Sequence, residues 1–114
     1  MNMDIDLTYL NTVSGGDNGF IKDILQLFLL HTMPDAELLS KHIEDKDWHM
    51  VAAAAHKIKS SVTMLGNEKA IELVTFIELS AKNSENLDKL KSSYDQLSME
   101  LTKMSNSIKQ YIDK

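Results

Sequence analysis

The chain contains no cysteine, a single proline, four glycines and few aromatic residues: three Phe, three Tyr and one Trp among 114. Without cysteine it has no disulfide, no thiolate metal site and no cysteine nucleophile. Nothing in it demands an oxidising compartment, which favours the cytoplasm. The shortage of Pro, Gly and aromatics excludes a turn-rich sandwich or barrel. Cationic excess is missing too, since the net charge of −5 opposes general nucleic-acid binding, an activity that needs Lys and Arg on many phosphates. A long apolar run is also absent. Residues 1–10 alternate Asp with apolar residues and form neither a signal peptide nor a membrane anchor, so no membrane insertion is expected. The apolar-rich stretch 20–33 is interrupted by Lys22, Asp23, Gln26, His31 and Thr32, as in a heavily buried soluble helix.

What is present is 43% hydrophobic and 25% charged residues, enough for one soluble domain spanning residues 1–114. Short breaks at residues 14–18, 32–34, 45–47, 66–67 and 83–86 divide it into amphipathic segments, the breaks having the length that joins antiparallel helices. Leu7, Leu10 and Val13 predict a short first helix. A second is expected over about 19–31, capped by Asp17 or Asn18, and a third from Pro34 with Leu38, Leu39 and Ile43 inward. Asp47 caps a fourth helix ending at Leu65 and Gly66, and Asn67 caps a fifth with Ala70, Leu73, Val74, Ile77 and Ala81 on one stripe. In the sixth, Leu87, Leu90, Tyr94, Leu97, Leu101, Met104, Ile108 and Tyr111 alternate spacings of three and four, a bundle-packing seam. The expected fold is therefore all-α: an antiparallel, up-down-up-down four-helix bundle with short extra N-terminal helices. One seam already serves its own core, so a monomer is expected.

Projected at about 100° per residue, the fourth helix places Val51, Ala54, Ala55, Ile58, Val62 and Leu65 on a core side. His49, Ala52, Ala53, His56, Lys59, Ser60 and Thr63 fall on the other. His56 then projects into solvent among small side chains. Lys59 can bring an ammonium group to an anion at His56, and the Ser60 hydroxyl lies beside it. A neutral imidazole nitrogen suits nucleophilic attack on phosphorus. An ordinary solvated helix face has the same composition, so periodicity alone leaves the function open.

The run Ala55-His56-Lys57-Ile58-Lys59-Ser60-Ser61-Val62-Thr63-Met64-Leu65-Gly66 resembles the signature of histidine-containing phosphotransfer (HPt) domains: Ala-His, an apolar residue, Lys, Gly-Ser, then Leu-Gly. Asp6-Leu7-Thr8-Tyr9-Leu10, Ser14-Gly15-Gly16-Asp17, residues 20–28 and Asp47-Trp48 extend the resemblance over roughly residues 4–82, the last helix matching only in pattern. The resemblance implies that His56 accepts a phosphoryl group on Nε2 and passes it between receiver-domain aspartates in a multistep two-component phosphorelay. It implies that Lys59 supports the phosphoryl oxygens and that the protein is a carrier without kinase or ATPase activity. No cofactor of its own is implied, Mg²⁺ belonging to the partner receiver domain. The expected partners are receiver domains of response regulators and hybrid sensor kinases. Docking is expected over Ala52, Ala53, Thr63 and Met64, joined by Leu10, Val13 and Phe20. Two departures stand out: Ser60 replaces the usual Gly, and Met64 is larger than the usual residue. The opposing reading is a degenerate HPt-like interaction module in which His56 is unused.

Other signals are weaker. His42, His49 and His56 recur every seven residues, but His49 and His56 lie about 10 Å apart along one helix, too far to share an ion. Gly15-Gly16 lacks a following Gly-Lys-Ser/Thr, so no nucleotide loop is expected.

Overall fold

The computed structural model describes residues 4–113, leaving three residues of the alternating N-terminal stretch outside the described part. Among the described residues there is no strand, and six α-helices follow in order: α1 Thr8–Ser14, α2 Asn18–Leu27, α3 Met33–Glu44, α4 Trp48–Met64, α5 Glu68–Asn83 and α6 Leu90–Ile112. The capping residues set these bounds. Asp17, Asp47 and Asn67 each accept the backbone N–H three residues on, satisfying one of the free donors at the starts of α2, α4 and α5. Before α1, Asp6 Oδ1 accepts from the first helical residue, from the Thr8 N–H at 2.9 Å and the Thr8 hydroxyl at 2.6 Å.

One expected break is absent. Residues 32–34 do not separate two helices: α2 passes through a π turn, Phe28–Thr32, directly into α3. Pro34 has no N–H to offer the carbonyl one α-turn back, and the wide turn just before it takes up that mismatch without ending the helix. The continuous unit α2–α3 is thus the first member of the bundle, with α4, α5 and α6 the others. The expected short N-terminal additions thereby reduce to one helix, α1.

Cross-links show the up-down order. Lys57 and Asp35 are equidistant along the chain from Lys46 and form an ion pair at 3.3 Å, so α3 and α4 run antiparallel. His56 and Glu78, equidistant from Asn67, do the same for α4 and α5. Tyr111 reaches Asn18 at one end of α6, and Tyr94 reaches Ser40 at the other. The molecule is correspondingly elongated, 42 × 22 × 22 Å.

The core is aliphatic. Ile21, Leu25, Leu39, Val51, Ile58, Val62, Val74, Ile77, Leu97 and Met104 are completely buried. Leu38, expected inward, is half-exposed; Ala36, Leu39 and Ile43 carry the inner stripe of α3 instead. Leu73 is only partly buried, on the flank of the α5 stripe. The N-terminal segment closes the end of the bundle where α4 turns into α5. Asp6 N–H donates to the Leu65 carbonyl at 2.7 Å, and Asn67 Nδ2 donates to the Asp4 carbonyl at 2.9 Å. Among the described residues no helix is long and apolar enough to cross a membrane.

Candidate functional site

The α4 face projected from the sequence is largely the face that the fold presents. His56 stands at mid-helix with its side chain 70% exposed. Ala53, Ser60 and Thr63 are exposed beside it, while Lys59 and Met64 are half-buried. Ala52 is the exception: at 8% exposure it belongs to the core, because it lies one turn before His56 on the side of α4 from which that ring reaches Glu78 of α5.

α5 supplies a side chain that the sequence reading did not single out. Glu78, 5% exposed, brings Oε2 within 3.0 Å of His56 Nδ1 and within 3.1 Å of Lys82 Nζ. Burial by itself pushes the Glu78 carboxyl up; the hydrogen bonds from Lys82 and His56, and then their charges, together outweigh it and hold the group below its ordinary value of 4.5. An ionised carboxylate has no proton to give, so the hydrogen in the contact sits on Nδ1. The neutral ring is thereby fixed as the Nδ1–H tautomer with the Nε2 lone pair free. Hydrogen bonds to a charged group of this kind contribute about 1.5–3 kcal/mol, ample to hold an otherwise mobile exposed ring in one orientation. Glu78 was legible in principle. It flanks the stripe of α5 between Ile77 and Ala81, has Lys82 one turn on, and lies opposite His56 once the Asn67 corner is placed.

The two lysines of α4 divide. Lys57 is paired with Asp35, whereas Lys59 pairs with no carboxylate among the described residues. The Ser60 hydroxyl donates to the His56 carbonyl at 3.4 Å, turned back on its own helix, not toward the ring.

Of the three expected docking residues outside α4, Leu10 is misplaced: at 2% exposure it is the residue by which α1 packs onto the bundle. Val13 and Phe20 are exposed, at 55% and 43%. Tyr9, Leu27 and Leu30 join them as exposed apolar residues that the sequence reading had not proposed. Phe20, Ile24 and Leu27 share a helical face, and Ile24 and Leu27 line an apolar groove of about 150 Å³ with His31, Ser61 and Met64. The groove joins the π turn to the exposed face of α4. His31 is exposed at its edge.

Among the described residues no cluster of three or more His, Asp or Glu side chains is placed to hold a metal ion. The arrangement is an exposed, oriented imidazole with an unpaired ammonium one turn away and an apolar surface alongside. Comparison with curated proteins and with solved structures finds no match. A family model, the Hpt domain, matches residues 23–107, well over half of the sequence and including the whole of α4 and α5. The bundle, the histidine-bearing helix and this match agree, and the chain belongs to the Hpt domain family.

Proposed function

We propose that the protein is a phosphocarrier that receives a phosphoryl group on His56 Nε2 from a receiver-domain aspartate and returns it to another. The observation that carries this reading is the hydrogen bond from His56 Nδ1 to the buried Glu78, which leaves Nε2 as an outward-facing lone pair. In the forward step that lone pair forms the N–P bond while the P–O bond to the receiver aspartate breaks, the electron pair leaving with the carboxylate. The ring keeps its Nδ1 proton and gains positive charge, which Glu78 offsets where it develops. Lys59 supports the phosphoryl oxygens. The receiver supplies its aspartate, acidic pocket and Mg²⁺, so most of the barrier lowering belongs to the partner and the carrier needs no cofactor.

Small and short side chains at Ala53, Ser60 and Thr63 suit this role, because a partner's loops must approach the imidazole for in-line transfer. The exposed apolar residues of α1 and α2, Val13, Phe20 and Leu27, with the groove beside Met64, supply the rest of the receiver-docking surface in this reading.

The test is incubation with receiver domains charged by radiolabelled acetyl phosphate, comparing wild type with His56→Gln. Acid-labile, base-stable label on the wild type and none above background on the variant is expected, with unchanged far-ultraviolet circular dichroism. Equal labelling of the variant sinks the assignment of His56. No label on the wild type across a broad receiver panel favours the interaction module.

A further inference from the structure

Glu78 Oε2 is shared by two donors, His56 Nδ1 and Lys82 Nζ. Orienting the ring requires only the first. A lone carboxylate on Nδ1 has a second effect, however: it favours the doubly protonated imidazolium, whose Nε2 carries a proton in place of the lone pair. A histidine that must attack phosphorus near neutral pH needs the orientation without that bias.

We propose that Lys82 is a positioning residue that acts through Glu78, sharing its carboxylate so that His56 stays a neutral nucleophile and its phosphorylated form does not lose the phosphoryl group too readily. This rests on the phosphocarrier reading. The charges around the ring fit a local device. From α5 come Glu78 and Lys82. From α3 comes Asp35, already held by Lys57 of α4. The π turn contributes His31, at the separate apolar groove. α4 itself adds the unpaired Lys59. On α6, the other neighbour of α5, Glu100 is taken up by Lys69 and Lys103 near the opposite end of α5, while Lys91 and Asp95 line a pocket beside Trp48. Lys82 is therefore the cation that offsets Glu78.

The chemistry gives Lys82 two roles of the same sign. In the free protein its charge opposes proton uptake on the ring. After transfer, the phosphoimidazolium loses its phosphoryl group to water easily, because neutral imidazole departs. Release of the Nδ1 proton to solvent gives a neutral phosphoimidazole that would have to expel imidazolate. Glu78 favours the first form, and Lys82, drawing on the same oxygen, favours the second.

The test uses full-length wild type, Lys82→Gln, Lys82→Arg and Glu78→Gln. Imidazole ¹⁵N NMR follows the His56 titration, which needs no phosphoryl donor. Potassium phosphoramidate, which transfers its phosphoryl group with release of ammonia, then labels the proteins for hydrolysis rates. Lys82→Gln is expected to move the His56 titration midpoint upward, because the Glu78 carboxylate is then left to the ring alone. Label loss above neutrality should quicken correspondingly, about 3- to 10-fold. Lys82→Arg should restore wild-type values, and Glu78→Gln should move the midpoint down. An unchanged or lowered midpoint in Lys82→Gln, or a Lys82→Arg variant that shifts as the Gln variant does, overturns the proposal. Expected shifts in a protein that takes no phosphoryl group from receivers uphold the coupling and overturn the carrier reading instead.

Discussion

Ser60 stands where the HPt resemblance implies glycine, one helical turn from His56. Its hydroxyl donates to the His56 carbonyl, so it is already occupied by its own helix and has no part in the reaction proposed here. Two substitutions separate chemistry from bulk. Ser60→Ala removes the hydroxyl but keeps the open surface, and phosphoryl acceptance should stay within about twofold of wild type. Ser60→Leu places a branched side chain in the approach path and should slow acceptance by about tenfold or more, while leaving the His56 titration unchanged. Both are read from initial rates of label transfer from one charged receiver domain. A Ser60→Ala variant as slow as Ser60→Leu would mean that the hydroxyl itself takes part. Such details were only partly legible in the sequence. Spacing on α4 placed His56, Lys59, Ser60 and Thr63 correctly, because a helix fixes which of its own residues share a face. It could not place Glu78, because that contact depends on the register between two helices.

At the scale of elements, the corners carry information that periodicity lacks. Gly66 ends α4 with φ +66°, and a Cβ there would lie 2.8 Å from the Asp6 Cβ. Gly15 has nearly the same φ, +65°, with nothing within 4 Å of its would-be Cβ. The pair separates backbone strain from packing. Gly15→Ala should cost about 1–2 kcal/mol, the penalty for a left-handed alanine. Gly66→Ala should cost about 1–3 kcal/mol more, because Asp6 must shift and its N–H bond to Leu65 is disturbed. Urea denaturation of the two variants checks this, and equal losses would show that the Asp6 contact is easily relaxed. Gly66 and the caps Asp17, Asp47 and Asn67 were readable as punctuation because each acts locally. The Pro34 step misled for the opposite reason. A proline normally pushes the preceding residue out of the helical region, yet Met33 keeps φ −65° and ψ −46°. The π turn resolves that conflict through backbone bonding that no residue pattern announces. Leu38 and Leu10 misled in a related way, since an apolar residue at a plausible spacing does not declare which neighbour it meets.

For the whole molecule, the bundle's all-helical nature and seam were written plainly in the sequence, whereas its response to pH emerges only from the assembled fold. Among the described residues, two carboxylates are held below their ordinary values. Asp6, ordinarily 3.8, is lowered by the side-chain and backbone hydrogen bonds from Thr8; Glu78, ordinarily 4.5, is pushed up by burial but lowered further by Lys82 and His56. A carboxylate whose pKa is depressed on folding contributes stability that is fully present above its unfolded value and is lost as pH falls through the folded one. Stability should therefore hold from neutrality down to about pH 5 on account of these two groups and fall below that. Glu78 links α5 to α4, so its protonation loosens the most extensive helix pair of the bundle, while Asp6 acts at the entry to α1. In Glu78→Gln the side chain no longer titrates. The difference in unfolding free energy between pH 6 and pH 3, measured by urea denaturation, should consequently be smaller than in wild type, with the Asp6 share remaining. An identical pH dependence in the two proteins would place the acid sensitivity elsewhere, because a group that does not titrate cannot carry a proton-linked loss of stability.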